Sequence, residues 1–436
     1  MDETNSPIIY VDKEEVLSFF NSELPSKNGY SFEWEGENVI HLHVDRPLHA
    51  YGQEKHVHFE KGRCVTIDSI QTSKDIVFNY YVYVYNNDDD VLVDIFEFNK
   101  GQFIKRQANY IPSRSELYSR NKGILEINIL EKKRVMIVGL GSFGSQIAIE
   151  LAKAGVGSFS LFDFDRIELH NLARHTSTIN DLGRLKTDAI YDAIKGKNPY
   201  AVIDKYPINI NEDLGLLNNE VLKADLVICG TDNNKSRFNI SEALVRNNKI
   251  GIFGRAITRA EGGDVFRYHP GGPCYCCLLG LGMVDSNDEE ITDVTSARRD
   301  GRIAAYVSDE EADAMVQVGL SADIEPICNL MVKLALMELS RGEHSGISCL
   351  EEELVYDYYM WANRRERRHA NWSKMPNAGN MPTILRWYGA RINKVDNCPI
   401  CSKKISIEGL ELGEEIEKHL GDMAGMEAIN LDDIES

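Results

Sequence analysis

Two groups of residues in this 436-residue chain have types and spacings suited to chemistry. The first is Gly139-Leu140-Gly141-Ser142-Phe143-Gly144, which follows the apolar run RVMIVGL and opens the helical pattern GSFGSQIAIELAKAG. Glycines permit a tight turn and a close backbone approach. A helix N-terminus adds unpaired N–H donors and a positive dipole, so such a loop suits a phosphate. Asp163 ends the next apolar run, SFSLFDFD, where a carboxylate can bond ribose hydroxyls. Together they predict a nucleotide site. The second group is a pair of Cys-x-x-Cys motifs, Cys274/Cys277 and Cys398/Cys401. Four thiolates from two such turns make a closed tetrahedral zinc site, structural because no coordination position is left for substrate.

These residues need a frame. From residue 134 onward, short apolar runs (RVMIVGL, SFSLFDFD, AVIDKYPIN, ADLVICGTD, KIGIFGRA) alternate with helical patterns (GSFGSQIAIELAKAG, TDAIYDAIKGKNP, SRFNISEALVRNN). That alternation predicts an α/β fold: a doubly wound, mainly parallel sheet of Rossmann-like type. Residues 1–110 read differently. A helix is expected near Lys13–Leu24, followed by alternating strands at 39–45, 56–60 and 76–85 and the strand VLVDIFEF after the turn Asn86-Asn87-Asp88-Asp89-Asp90. We therefore expect three segments: a β-rich N-terminal domain over 1–110, the nucleotide domain over 111–345, and a C-terminal extension over 346–436. The extension carries the second cysteine pair and an acidic tail from Leu410. The histidines of the first segment, His41, His43, His49, His56 and His58, include two His-x-His pairs. Each pair shares a strand face and can bind metal, but the polar faces of ordinary strands explain them more simply.

Composition excludes some functions. Lys and Arg number 48 against 68 Asp and Glu, a net charge of −20. So acidic a surface repels nucleic acid. The one basic cluster, Arg364-Arg365-Glu366-Arg367-Arg368, is short and reads as a solvated helix face. No apolar run reaches the ~18–20 residues of a membrane span. The polar, acidic start MDETNSPIIYVDKEE is unlike a targeting leader, so a cytoplasmic protein is expected. There, paired thiols favour metal or catalysis over disulfides.

Four further blocks occur in order: Asp163-Phe164-Asp165, Asn171-Leu172-Ala173-Arg174, Lys186 shortly after Gly183, and Thr231-Asp232-Asn233. This series, over roughly residues 115–345, resembles the adenylation domain of the ubiquitin-activating enzymes and their bacterial relatives in thiamine and molybdopterin synthesis. The resemblance implies an ATP-dependent adenylyltransferase. Its expected substrate is the C-terminal carboxylate of a ubiquitin-like or sulfur-carrier protein ending in glycine. It also implies roles. Asp163 binds ribose. Asn171, Arg174 and Lys186 contact the triphosphate. Asp232, with Asp165, holds magnesium. Arg120, in ELYSRN, matches an arginine that in symmetric relatives reaches the partner subunit's ATP, which implies a homodimer. The family also carries paired zinc cysteines after a turn like Gly272-Pro273-Cys274. Electrostatics agrees with these roles: a carboxylate attacking a triphosphate brings two anions together, and fixed cations with magnesium must neutralise them.

The step after adenylation is less determined. Thioester-forming relatives carry a nucleophilic cysteine in the crossover segment, here about 278–320, and this chain has none there past the first cysteine pair. Three candidates remain: Cys328, expected to begin a helix whose dipole acidifies it, the spare thiol Cys276, and Cys349 in a loop. The run NLARHTSTINDLGRLKTDA is similar to ubiquitin-activating-like proteins of bacterial operons that also carry a ubiquitin-like protein, a conjugating enzyme and a deubiquitinase, some serving antiviral defence. Two other classes stay open: an adenylyltransferase that modifies a ribosomal precursor peptide, and a nucleotide-sensing scaffold.

Overall fold

The computed structural model describes residues 6–34, 36–46, 53–62, 78–87, 90–111, 114–257, 260–280, 319–365, 369–375 and 379–402. The expected crossover beyond Gly280, the acidic tail, Cys64, His49, Arg367 and Arg368 lie outside the described residues. The chain divides into two compact units, Met1–Arg120 and Asn121–Ser436.

The first unit is a mixed sheet of eight strands: β1 (Ile8–Asp12), β2 (Ser26–Trp34), β3 (Val39–His43), β4 (Gln53–Lys61), β5 (Tyr80–Asn87), β6 (Asp90–Asn99), β7 (Gln102–Arg106) and β8 (Ala108–Ile111). Their order is β7-β6-β5-β4-β2-β3-β1-β8. The expected helix runs over Lys13–Asn21. Asp12 starts it by accepting the N–H groups of Glu14 and Glu15 at 2.8 and 3.1 Å. It stops three residues short of Leu24, where the Ser22 hydroxyl turns back to the Phe19 carbonyl at 2.7 Å. Val16 and Phe19 pack onto one sheet face with Ile9, Val57, Phe59, Val82 and Ile95. The strand histidines have ordinary partners: His43 Nδ1 lies 3.2 Å from Glu15, and His58 Nδ1 lies 3.0 Å from Asn28.

The second unit holds another eight-stranded sheet: β9 (Arg134–Val138), β10 (Ser158–Phe162), β11 (Val202–Tyr206), β12 (Leu226–Cys229), β13 (Ile250–Ala256), β14 (Gly262–Tyr268), β15 (Tyr358–Ala362) and β16 (Arg386–Ala390). The order is β11-β10-β9-β12-β13-β14-β15-β16. β9 through β13 are parallel, and β14, β15 and β16 are antiparallel. The sheet is thus mixed, with the expected parallel strands on one side and an antiparallel addition on the other. Only a few residues join β13 to β14, too few for the crossover a parallel partner needs. β15 and β16, from the C-terminal extension, continue the same sheet.

Alternation along β9 shows the layering. Val135 and Ile137 enter one core with the helices Ser142–Ala154 and Ser321–Leu339. Met136 and Val138 enter the other with the helices Leu214–Lys223 and Asn234–Asn247. The Leu214–Lys223 helix has no clear sequence signal, because Gly215 and the Asn218-Asn219 pair dilute its pattern. No described helix is long and apolar enough to cross a membrane.

Glu338, at the end of the Ser321–Leu339 helix, fixes that helix to β14. Its side chain is 1% exposed. Arg267 Nη1 donates to it at 3.0 Å and Arg341 Nη2 at 2.8 Å, and His269 Nε2 stands 3.0 Å away at a poor hydrogen-bond angle. Burial alone would raise the Glu338 pKa, but Arg341, His269 and Arg267 outweigh it and hold the carboxyl down at about 2. A depressed carboxyl pKa stabilises the fold above the unfolded value and loses that contribution as pH falls toward the folded one. Glu338→Gln should therefore cost about 3 kcal/mol at pH 7. In urea titrations the gap to the wild type should close between about pH 5 and pH 2.

Candidate functional site

The sheet order reverses around β9: the chain moves outward through β10 and β11, then returns to β12 on the other side. Ligand crevices form at such switch points, beyond the carboxyl ends of the strands. A cavity of about 230 Å³ opens there, lined from the ends of β9, β10 and β12. One wall is the glycine loop. Gly139 has φ +83°, and a Cβ on it would meet the Gly230 carbonyl oxygen at 2.8 Å. A Cβ on Gly144 would meet the Gly139 carbonyl oxygen at 1.9 Å, whereas one on Gly141 would meet nothing within 4 Å. Gly144 therefore seats the helix on the loop, and Gly141 leaves open space facing the cavity. Gly141 caps the helix without a side-chain bond, so the first-turn N–H groups are free for an anion.

Against the loop stands a charge cluster. Asp163 is buried and accepts the Leu140 N–H at 2.7 Å on one oxygen and the Asp165 N–H at 2.8 Å on the other. Burial raises its pKa against the pull of Lys186. Each oxygen keeps a lone pair for a further donor. A bridge between Arg166 and Leu185 brings the two loops together, with the Lys186 N–H on the Asp165 carbonyl at 3.0 Å. The Lys186 ammonium then donates to Asp165 Oδ2 at 2.9 Å. Lys186 is only 8% exposed. Burial disfavours its charge, but Asp163 and Asp165, with a smaller part from Asp232, hold its pKa above the usual lysine value. Asn171 Oδ1 accepts the Glu168 N–H at 3.0 Å, which turns its amide donors elsewhere. Arg174 and Asp232 are half-buried, and both line the cavity.

The structure thus gathers Gly139, Gly141, Asp163, Asp165, Asn171, Arg174, Lys186 and Asp232 around one cavity. Arg120 is not of this group; it ends the first compact unit and is exposed. Lining residues that the sequence reading did not assign to the site include His175, and Ile208 and Asn209 after β11.

The two cysteine pairs converge. Cys274, Cys277, Cys398 and Cys401 are buried, with all four sulfurs within 4.8 Å of one another. Neighbouring sulfurs are 3.4 Å apart for Cys274–Cys398 and Cys277–Cys401, and 3.8 Å for Cys274–Cys277. A tetrahedral ion with metal–sulfur bonds of ~2.3 Å requires sulfurs about 3.8 Å apart, so the donor set fits a soft divalent cation. It is the one such convergence among the described residues. The expectation for Cys328 needs correction. It does not begin a helix but lies inside the Ser321–Leu339 helix, which starts seven residues before it. It is 3% exposed, and burial pushes its thiol up to about 12. Cys276 is also buried, and Cys349 is exposed.

A glycine loop opening a helix at the switch point, with a buried acid after the next strand and a lysine-centred charge cluster, defines a nucleotide-binding α/β protein. The chain belongs to the ThiF family, whose signature matches residues 118–348, more than half its length. It is 37% identical over 154 residues to the molybdopterin-synthase adenylyltransferase of Escherichia coli (strain K12), covering 35% of this chain and 61% of that protein. It is 32% identical over 157 residues to a sulfur carrier protein adenylyltransferase of Thermus thermophilus, covering 34% and 56%. To the ubiquitin-like modifier-activating enzyme 5 of Caenorhabditis briggsae it is 31% identical over 207 residues, covering 44% and 47%. The chain thus spans about half to three-fifths of the length of these relatives. A crystal structure of Escherichia coli MccB with MccA-N7isoASN aligns with 63% of this chain and 69% of that one, at 18% identity and a TM-score of 0.45. That likeness is too distant to bear on activity.

The two glycine positions should separate by experiment. Gly144→Ala should cost roughly 1–3 kcal/mol in thermal melts, because backbone must move. Gly141→Ala should cost less stability and weaken nucleotide binding more, read by titration calorimetry.

Proposed function

We propose that this chain is an ATP-dependent adenylyltransferase acting on the C-terminal carboxylate of a ubiquitin-like or sulfur-carrier protein. The observation that carries this reading is the buried Lys186 ammonium set among Asp163, Asp165 and Asp232, lining the same cavity as a helix N-terminus without a side-chain cap. Asp163 would hold the ribose, and the glycine-loop N–H groups would take phosphate oxygens. Arg174, Lys186 and the Asn171 amide would draw charge from the α-phosphate while the carrier's carboxylate oxygen attacks phosphorus. The bond from the α-phosphorus to the bridging oxygen breaks, pyrophosphate leaves, and an acyl adenylate remains. Asp232 with Asp165 offers hard oxygen donors that suit magnesium, which when bound would screen the phosphate charge. No proton need move, so the residues act by position and charge.

The four cysteines would hold zinc, tying the segment after β16 to the turn after β14. Of the described cysteines outside that cluster, only Cys349 is exposed. This favours direct passage of the adenylate to another acceptor over a resident thioester, and it keeps modification of a ribosomal peptide as a second reading. The finer proposals are a homodimer completed by Arg120, transfer to a conjugating enzyme, and service in a bacterial antiviral operon. They rest on the family resemblance of residues 115–345.

With its carrier, the protein should exchange pyrophosphate into ATP in a magnesium-dependent way. Asp232→Ala should abolish exchange while leaving the melting temperature in place. Full exchange in that variant removes the magnesium assignment, and NAD binding without ATP turnover removes the adenylation reading. Metal analysis of protein kept from chelators should find about one zinc per chain. Structural zinc contributes ~10–16 kcal/mol of apparent binding free energy in small sites, so Cys398→Ser should lose the ion and much stability.

A further inference from the structure

We infer that His175 is a positioning residue that holds the glycine loop in its phosphate-binding shape, and that it does so as a neutral imidazole rather than as a phosphate-binding cation. The inference rests on the ATP reading of the cavity.

His175 directly follows Arg174, but its hydrogen bonds are those of a neutral ring. His175 Nε2 lies 2.7 Å from the Leu140 carbonyl oxygen, and Nδ1 accepts the Ser177 N–H at 3.0 Å. One ring nitrogen must donate and the other must accept, which fixes the Nε2–H tautomer. A second proton would sit on Nδ1 and face the Ser177 N–H, donor against donor. The ring is only 9% exposed. The charged groups acting on it are Lys186, which disfavours protonation, and Asp181, which favours it. Burial is the largest influence, and the pKa falls to about 4.

Leu140 is where this bond acts. Its side chain is fully buried in the core. Its N–H is held by Asp163 at 2.7 Å and its carbonyl by His175 at 2.7 Å. The glycine loop, the end of β10 and the segment carrying Asn171 and Arg174 are therefore joined at one residue. Gly141 and the helix N-terminus come directly after it, so their N–H groups are aimed before any nucleotide arrives. Preorganised donors of this kind cost no rearrangement on binding.

The test uses the full chain, His175→Leu, His175→Gln and ATP with magnesium. Glutamine can both donate and accept, and leucine can do neither. Leaving the buried Leu140 carbonyl unpaired should raise the ATP dissociation constant about tenfold or more in His175→Leu. His175→Gln should stay within about threefold of the wild type. Equal affinity in all three proteins overturns the inference, as does a loss in His175→Gln as large as in His175→Leu. A wild type that binds no ATP overturns the cavity reading and this inference with it. If His175→Leu does not fold, ¹⁵N NMR of histidine in the wild type decides. A single Nε2–H tautomer that does not titrate between pH 5.5 and 8 supports the clamp, and an imidazolium in that range refutes it.

Discussion

A lysine that is only 8% exposed depends on the carboxylates around it to keep its charge, and the architecture of this site rests on that dependence. Lys186 begins a helix, Asp163 and Asp165 follow β10, and Asp232 comes after β12. Without its partners the ammonium would carry an uncompensated desolvation cost of several kcal/mol. Without the ammonium, three carboxylates would crowd one cavity and repel any phosphate. The cluster thus serves as fold and as site together. It ties the loop after β10 to the start of the Lys186–Lys195 helix, and it keeps a cation at the place where an anionic ligand would enter.

Much of this is legible in the sequence, because the features obey short-range rules. The apolar run before Gly139, the glycine spacing and the acid closing the next strand each reflect local backbone geometry. The two Cys-x-x-Cys pairs predict a shared site across a long separation, since each half carries its own signature. Other features depend on tertiary context. β14, β15 and β16 are antiparallel because of connection length and a partner strand far along the chain. Cys328 reads as a helix start because Pro326 usually marks one. Here the proline is accommodated inside a longer helix, and the thiol faces the core. His175 has no signal, because its role depends on where the Leu140 carbonyl points.

The assembly of the second sheet has a consequence for how the chain folds. β9 through β13 are connected in sequence order, with each crossover helix packing onto strands already placed. β15 pairs with β14 through Gly262 and Ala362, and the cysteine cluster joins positions 124 residues apart. Closing such loops costs entropy before any contact repays it. The pairing of β15 with β14 therefore carries a larger loop-closure cost than the short crossovers of the parallel half, and β14 is an open edge wherever β15 and β16 are not docked. Such an edge is an unpaired strand, open to the wrong partner. The β14 edge thus depends for its cover on a strand far along the chain.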